Sequence, residues 1–159
     1  MEPVLLSVHV LASIVFVGGS AVATSLFSRY APVATGVAVG AEPAHPQPPD
    51  AGERNPAVAV ALHRITRVYS IMGLVVPAAG IALATTQGRM GEVWIIISMV
   101  LTAAAGGLLA TQIYPRQRDA LSEPDDGRRL RTLSMLAGIY NLLWAIVVVL
   151  MIVRPGSGA

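Results

Sequence analysis

Long apolar runs constrain this chain more than any other feature. A membrane-crossing helix needs about 20 mostly apolar residues, and four stretches come up to that length: residues 4–27, 68–86, 93–114 and 133–153. None of them contains Asp or Glu. A soluble domain has no way to bury four such runs. It carries about 25% charged residues, against 13% here, where mean hydropathy is +0.64. Hydrocarbon offers the backbone no hydrogen bonds, so spans are helices or closed-barrel strands. Barrel strands are short and alternate; these runs are long and unbroken. The expected fold class is all-α: a polytopic membrane protein with four transmembrane helices in an antiparallel bundle, a single membrane domain over residues 1–159.

Charge placement predicts the orientation. All basic residues are Arg, and cytoplasmic flanks gather Lys and Arg. Arg29, Arg54, Arg64 and Arg67 lie around the first connection, and Arg116, Arg118, Arg128, Arg129 and Arg131 around the third; Arg89 and Arg154 alone fall on the other side. Both termini and the turn at 85–92 are therefore expected outside. The cytoplasmic pieces are a Pro-rich linker at 28–56 and an Arg-rich loop at 115–132. Trp94 and Tyr114 bracket the third run, as interfacial aromatics do. Glu2 is the only charge before the first run. A secretory signal has a positive leading region, so this run is expected to be a retained span. The expected location is the bacterial cytoplasmic (inner) membrane.

The Pro-dense stretch "AEPAHPQPPD" reads as an extended linker, because Pro fixes φ and lacks a donor. His45 within it reads as a surface residue. With no Cys there is no disulfide and no Cys-held metal. No phosphate-cradling glycine loop is present, and no Ser–His–Asp set, since every Asp lies in a connection. The Arg sit at segment ends and form no basic face, so nucleic acid is not an expected partner. The absence of an acid within any run argues against a proton-driven carrier.

Small residues predict how the helices meet, since membrane helices associate through close backbone approach. Gly19 and Ala23 offer such a face on the first helix. Ala103 with Gly107, and Gly106 with Ala110, do so on the third; Ser134, Gly138, Asn141 and Ala145 do so on the fourth. Gly73 and Gly80 flank Pro77, a predicted kink. Asn141 lies mid-helix, where an unpaired amide is costly, and Thr102 at similar depth is its expected partner. Trp144 reads as packing.

His9 is the remaining chemistry-bearing residue. Ser13, Ser20 and Thr24 follow it along nearly one helical stripe, so it is expected to point inward. Its depth is roughly 9 Å at 1.5 Å per residue, and Met99 on the third helix has about the same depth. A His beside a thioether suits haem iron or copper, and intramembrane ionisable groups are commonly functional. A satisfied histidine in a helix interface is the alternative. His63, with Arg64 and Arg67, is expected at the opposite interface, touching lipid headgroups.

The stretch "HVLASIVFVGG" resembles the first helix of small bacterial integral membrane proteins related to the CopD copper-resistance domain. The matching positions are His9, Phe16, Gly18 and Gly19. "LHRITRVYSIMGLVVPAAGIAL" is similar to their second helix. The opening helix also resembles, more distantly, that of HemJ-type protoporphyrinogen oxidases, whose motif His binds haem. The Tyr-Leu-Pro-Arg run of that family is replaced here by "SAVATS", so oxidase activity is not carried over. The first resemblance implies a membrane protein near haem, copper or respiratory chemistry, with His9 as a ligand of haem b or copper. Three functions are thus in view. The first is a non-catalytic accessory subunit packed against a larger envelope or respiratory complex, with other membrane subunits, a second copy and the bilayer as partners. The second is a haem- or copper-binding protein using His9. The third is a HemJ-type oxidoreductase.

Overall fold

The computed structural model describes residues 2–34, 54–72 and 75–156. The described residues are helical, joined by turns, with no strand among them. The helices are α1 (Glu2–Tyr30), α2 (Pro56–Met72), α3 (Val75–Thr86), α4 (Val93–Leu108), α5 (Tyr114–Ser122) and α6 (Arg128–Val153). A π-helical turn, Leu109–Ile113, joins α4 to α5 without a break. Four stretches are long and apolar enough to cross a membrane: Pro3–Tyr30, Pro56–Thr86, Val93–Ser122 and Arg128–Val153. Residues 35–53 of the Pro-rich linker, with His45, and Gly73 lie outside the described residues; the ends expected to belong to that linker are instead helical, α1 running to Tyr30 and α2 starting at Pro56.

Local chemistry explains where these helices start and stop. Before α2, the Asn55 side-chain oxygen accepts from the N–H groups of Ala57 (3.0 Å) and Val58 (3.4 Å), and Pro56 takes the first helical position, where no N–H is missed. Pro77 likewise stands in the first turn of α3. Gly127 precedes α6 with φ +90°, a conformation that favours glycine. The Asp125 carboxylate then accepts from the N–H of Gly127 (2.9 Å) and Arg129 (3.1 Å). Arg54 donates to the Ala31 carbonyl at 2.8 Å, and Ala34 N–H to Asp125 O at 2.9 Å. These bonds tie the first and third connections together at one end of the molecule.

The third run departs from the expectation. It was expected to end at Tyr114 and give way to a loop, yet residues 114–122 continue as α5. Pro115 does not stop the helix because the π turn precedes it: Tyr114 N–H bonds to Leu109 O, five residues back. The same turn keeps one face buried. Ala105, Leu109, Ile113 and Gln117 are all in the interior. At about 100° per residue such a four-residue row drifts roughly 40° per step, and the wider π turn takes back part of that drift.

Helix α1 packs against α2, α3 and α6; α4 packs against α6; α2 reaches α5. The apolar core gathers where the end of α1, the start of α2, α5 and the start of α6 meet, around Phe27, Leu62, Ile113, Leu130 and Leu133. Elsewhere large apolar side chains face outward, among them Ile14, Val100 and Ile152.

Candidate functional site

The inward stripe of α1 is polar. His9, Ser20 and Thr24 are buried and Ser13 is half-buried. The Ser13 hydroxyl donates back to the His9 carbonyl at 2.7 Å, and Thr24 to the Ser20 carbonyl at 2.9 Å, so the helix itself satisfies part of this stripe. The Ser20 and Tyr140 hydroxyls hydrogen-bond at 2.7 Å, linking α1 to α6. Tyr140 in turn meets Trp144 edge-on, centroids 6.4 Å apart.

The His9 ring lies over Gly80 of α3. A Cβ at Gly80 would come within 3.1 Å of His9 Cε1, so glycine is what lets the ring settle there. The ring edge faces the Val76 backbone. Nδ1 is buried without a hydrogen-bond partner, which leaves one nitrogen of a buried imidazole with its lone pair or proton unused. Met99 is not brought to it. That side chain is 38% exposed on α4, whereas His9 is turned toward α3. Equal depth along two helices does not give equal azimuth: α4 packs chiefly on α6 and its own continuation, and meets α3 only slightly. Among the described residues no three His, Cys, Asp or Glu gather as a metal site.

The packing residues divide into two groups. A Cβ on Gly19 would fall 2.5 Å from the Tyr69 hydroxyl and 2.6 Å from Cζ; Tyr69 also meets Phe16 edge-on at 5.7 Å. Ala23 is in the core. Gly107 and Gly138, expected at helix–helix contacts, instead face outward, and a Cβ there meets nothing within 4 Å. Asn141 also differs from expectation. Its amide donates to the Ser25 hydroxyl on α1 at 2.9 Å, because α6 lies beside α1 on that face; Thr102 is not the partner.

His63 makes contacts that the spacing does not predict: its ring stacks on Tyr114 (4.8 Å, 10° between planes), and Nδ1 is 3.3 Å from Gln117 Oε1. Gln117 is fully buried, with Nε2 unpartnered. Sequence spacing gave no sign of this α2–α5 contact, since it depends on the third helix running on past Pro115. At the opposite end, Glu92 holds the turn. It pairs with Arg89 at 2.5 Å and accepts from Trp94 Nε1. The Arg89 and Arg154 guanidiniums stand over the Trp94 ring at 5.7 and 6.0 Å. Arg89 holds the Glu92 carboxyl below its usual range, chiefly through the hydrogen bond.

No protein family, curated protein or solved structure matches this chain.

Proposed function

We propose that this is a non-catalytic multi-pass protein of the bacterial cytoplasmic membrane, an antiparallel four-helix bundle with both termini outside. It serves as an accessory subunit packed against a larger envelope or respiratory complex. The observation that carries this reading is the outward direction of its small-residue faces. Ala103, Gly106 and Gly107 on α4, Ala110 in the π turn that continues it, and Ser134, Gly138 and Ala145 on α6, are exposed. No side chain among the described residues approaches Gly106, Gly107 or Gly138 within 4 Å of a Cβ. In lipid, such faces allow the close backbone approach through which helices associate. The test is purification in a mild detergent after crosslinking from a photoreactive residue at Gly107 or Gly138. Crosslinks to a stoichiometric membrane subunit support the reading; crosslinks to lipid alone from both positions refute it. Orientation is tested separately: a Cys at Ser122 should resist impermeant thiol reagents in intact cells, and one at Gly91 should react.

A second reading, haem or copper at His9, is favoured by the unpartnered buried Nδ1. The fit is partial. One imidazole serves haem iron as an axial ligand, while copper calls for further donors, which another chain would supply. The resemblance of the first helix to CopD-related proteins is the source of this reading, and HemJ-type oxidation is the weaker extension of it. Natively purified protein with bound haem or metal that His9→Ala removes supports it. Colourless, metal-free protein after growth with excess haem and copper refutes it.

A further inference from the structure

The third span outruns a bilayer. Val93–Ser122 has 30 residues of unbroken helix, about 45 Å at 1.5 Å per residue, against about 30 Å of hydrocarbon; Pro56–Thr86 is as long in sequence, with 31 residues. The surplus belongs at the α2–α5 end, because α5 ("YPRQRDALS") is polar while α3 and α4 are apolar to their shared turn. The His63–Tyr114 stack fixes the register there. It lies at the border between apolar span and polar extension.

Cations converge on that border. Arg67 follows His63 by one turn on the same face of α2, and Arg118 follows Tyr114 by one turn on α5. Arg67 starts from the deeper side, from which the long stem of an interfacial Arg can carry its head outward; Arg118 starts from the outer side. These two are the charges that act on the His63 ring. Arg64, Arg67 and Arg118 are exposed, and none of them forms an ion pair with another described residue. Residues 56–72 contain no acid. Three of the other basic side chains near this end are already engaged: Arg129 with Glu123 and Asp125, Arg128 with Asp126, Arg116 with Gln112. The amide of Gln117 beneath the stack keeps an unpartnered donor.

We propose that the α2–α5 border, built from His63, Arg67 and Arg118 with Arg64 beside them, is a binding site for a phosphate-bearing anion, supplied by the headgroup of an anionic phospholipid. Guanidinium groups bind phosphate oxygens in bidentate fashion, and basic clusters between membrane helices at this level suit lipid headgroups. The outward apolar side chains of α2 just below, Val68 and Ile71, lie where the acyl chains of the same lipid run. The inference rests on the multi-pass reading.

The test uses the full chain in detergent, with native mass spectrometry and thermal unfolding. Phosphatidylglycerol should be retained as a discrete adduct and raise Tm; phosphatidylcholine should do neither. Arg67→Gln with Arg118→Gln should weaken retention about thirtyfold, whereas Arg128→Gln should not. Arg67→Lys with Arg118→Lys keeps the charge and should retain part of the binding, which separates ligand loss from misfolding. Inorganic phosphate that raises Tm as phosphatidylglycerol does would overturn the lipid as source. Equal retention by wild type and the double Gln variant would overturn the site. Alkaline-carbonate extraction separates the premises: a chain released from membranes fails the multi-pass reading, and one that stays but ignores phosphatidylglycerol fails only this inference.

Discussion

Gly19→Ala adds one methyl where α1 meets Tyr69. An ideal Cβ would stand 2.5 Å from the hydroxyl and 2.6 Å from Cζ, about 1 Å inside ordinary van der Waals contact. The ring must retreat, and Phe16, which meets it edge-on at 5.7 Å between centroids, limits the path. Overpacking of this kind typically costs about 1 to 3 kcal/mol. Replacing Gly by Ala inside a helix also gains up to about 1 kcal/mol in propensity. Gly107→Ala has the same propensity gain with open space around the new methyl, so it is the internal reference. The two variants should differ by about 1 to 3 kcal/mol. At about 2 to 4 °C per kcal/mol for a chain of this length, that is a gap of several degrees in thermal unfolding of the detergent-solubilised protein. Tyr69→Ala removes the clashing ring, so Gly19→Ala made in that background should be nearly neutral. Equal Tm values for Gly19→Ala and Gly107→Ala, or an undiminished cost of Gly19→Ala without the tyrosine ring, would refute the proposed contact.

Tyr140→Phe deletes the buried bond to Ser20 and should cost about 0.6 to 2 kcal/mol; adding Ser20→Ala should cost little more, read by the same melts. The Glu92 carboxyl is depressed by Arg89, so its contribution is present above the usual Glu pKa of about 4.3 and is lost as pH falls through the lower folded value. Trp94 fluorescence should therefore change on acidification below about pH 4 in wild type and not in Glu92→Gln. His63→Ala removes the ring stack and the Gln117 contact; α5 should then exchange its amide hydrogens faster while α6 does not, and unchanged exchange in α5 would show that the stack does not hold it.

Amino-acid order alone predicts the four long apolar helices that the structure has. Four acid-free apolar runs exceed what a soluble core can bury, and backbone hydrogen bonding in hydrocarbon leaves them one conformation, so the helices and the inward polar stripe of α1 were legible without coordinates. Which helix lies beside which was not. In lipid every outward apolar residue is equally at home, so hydrophobic periodicity carries little information about azimuth, and depth arithmetic paired His9 with Met99 and Asn141 with Thr102. Only the tertiary arrangement, with α1 against α3 and α6, turned His9 to Gly80 and Asn141 to Ser25. The same ambiguity hid the outward direction of Gly107 and Gly138, because a small residue looks alike whether it awaits a neighbour in the same chain or in another. The His63–Tyr114–Gln117 cluster depended on a π turn that carries the third helix past Pro115, and a proline in a sequence signals a stop unless the backbone around it is seen to widen.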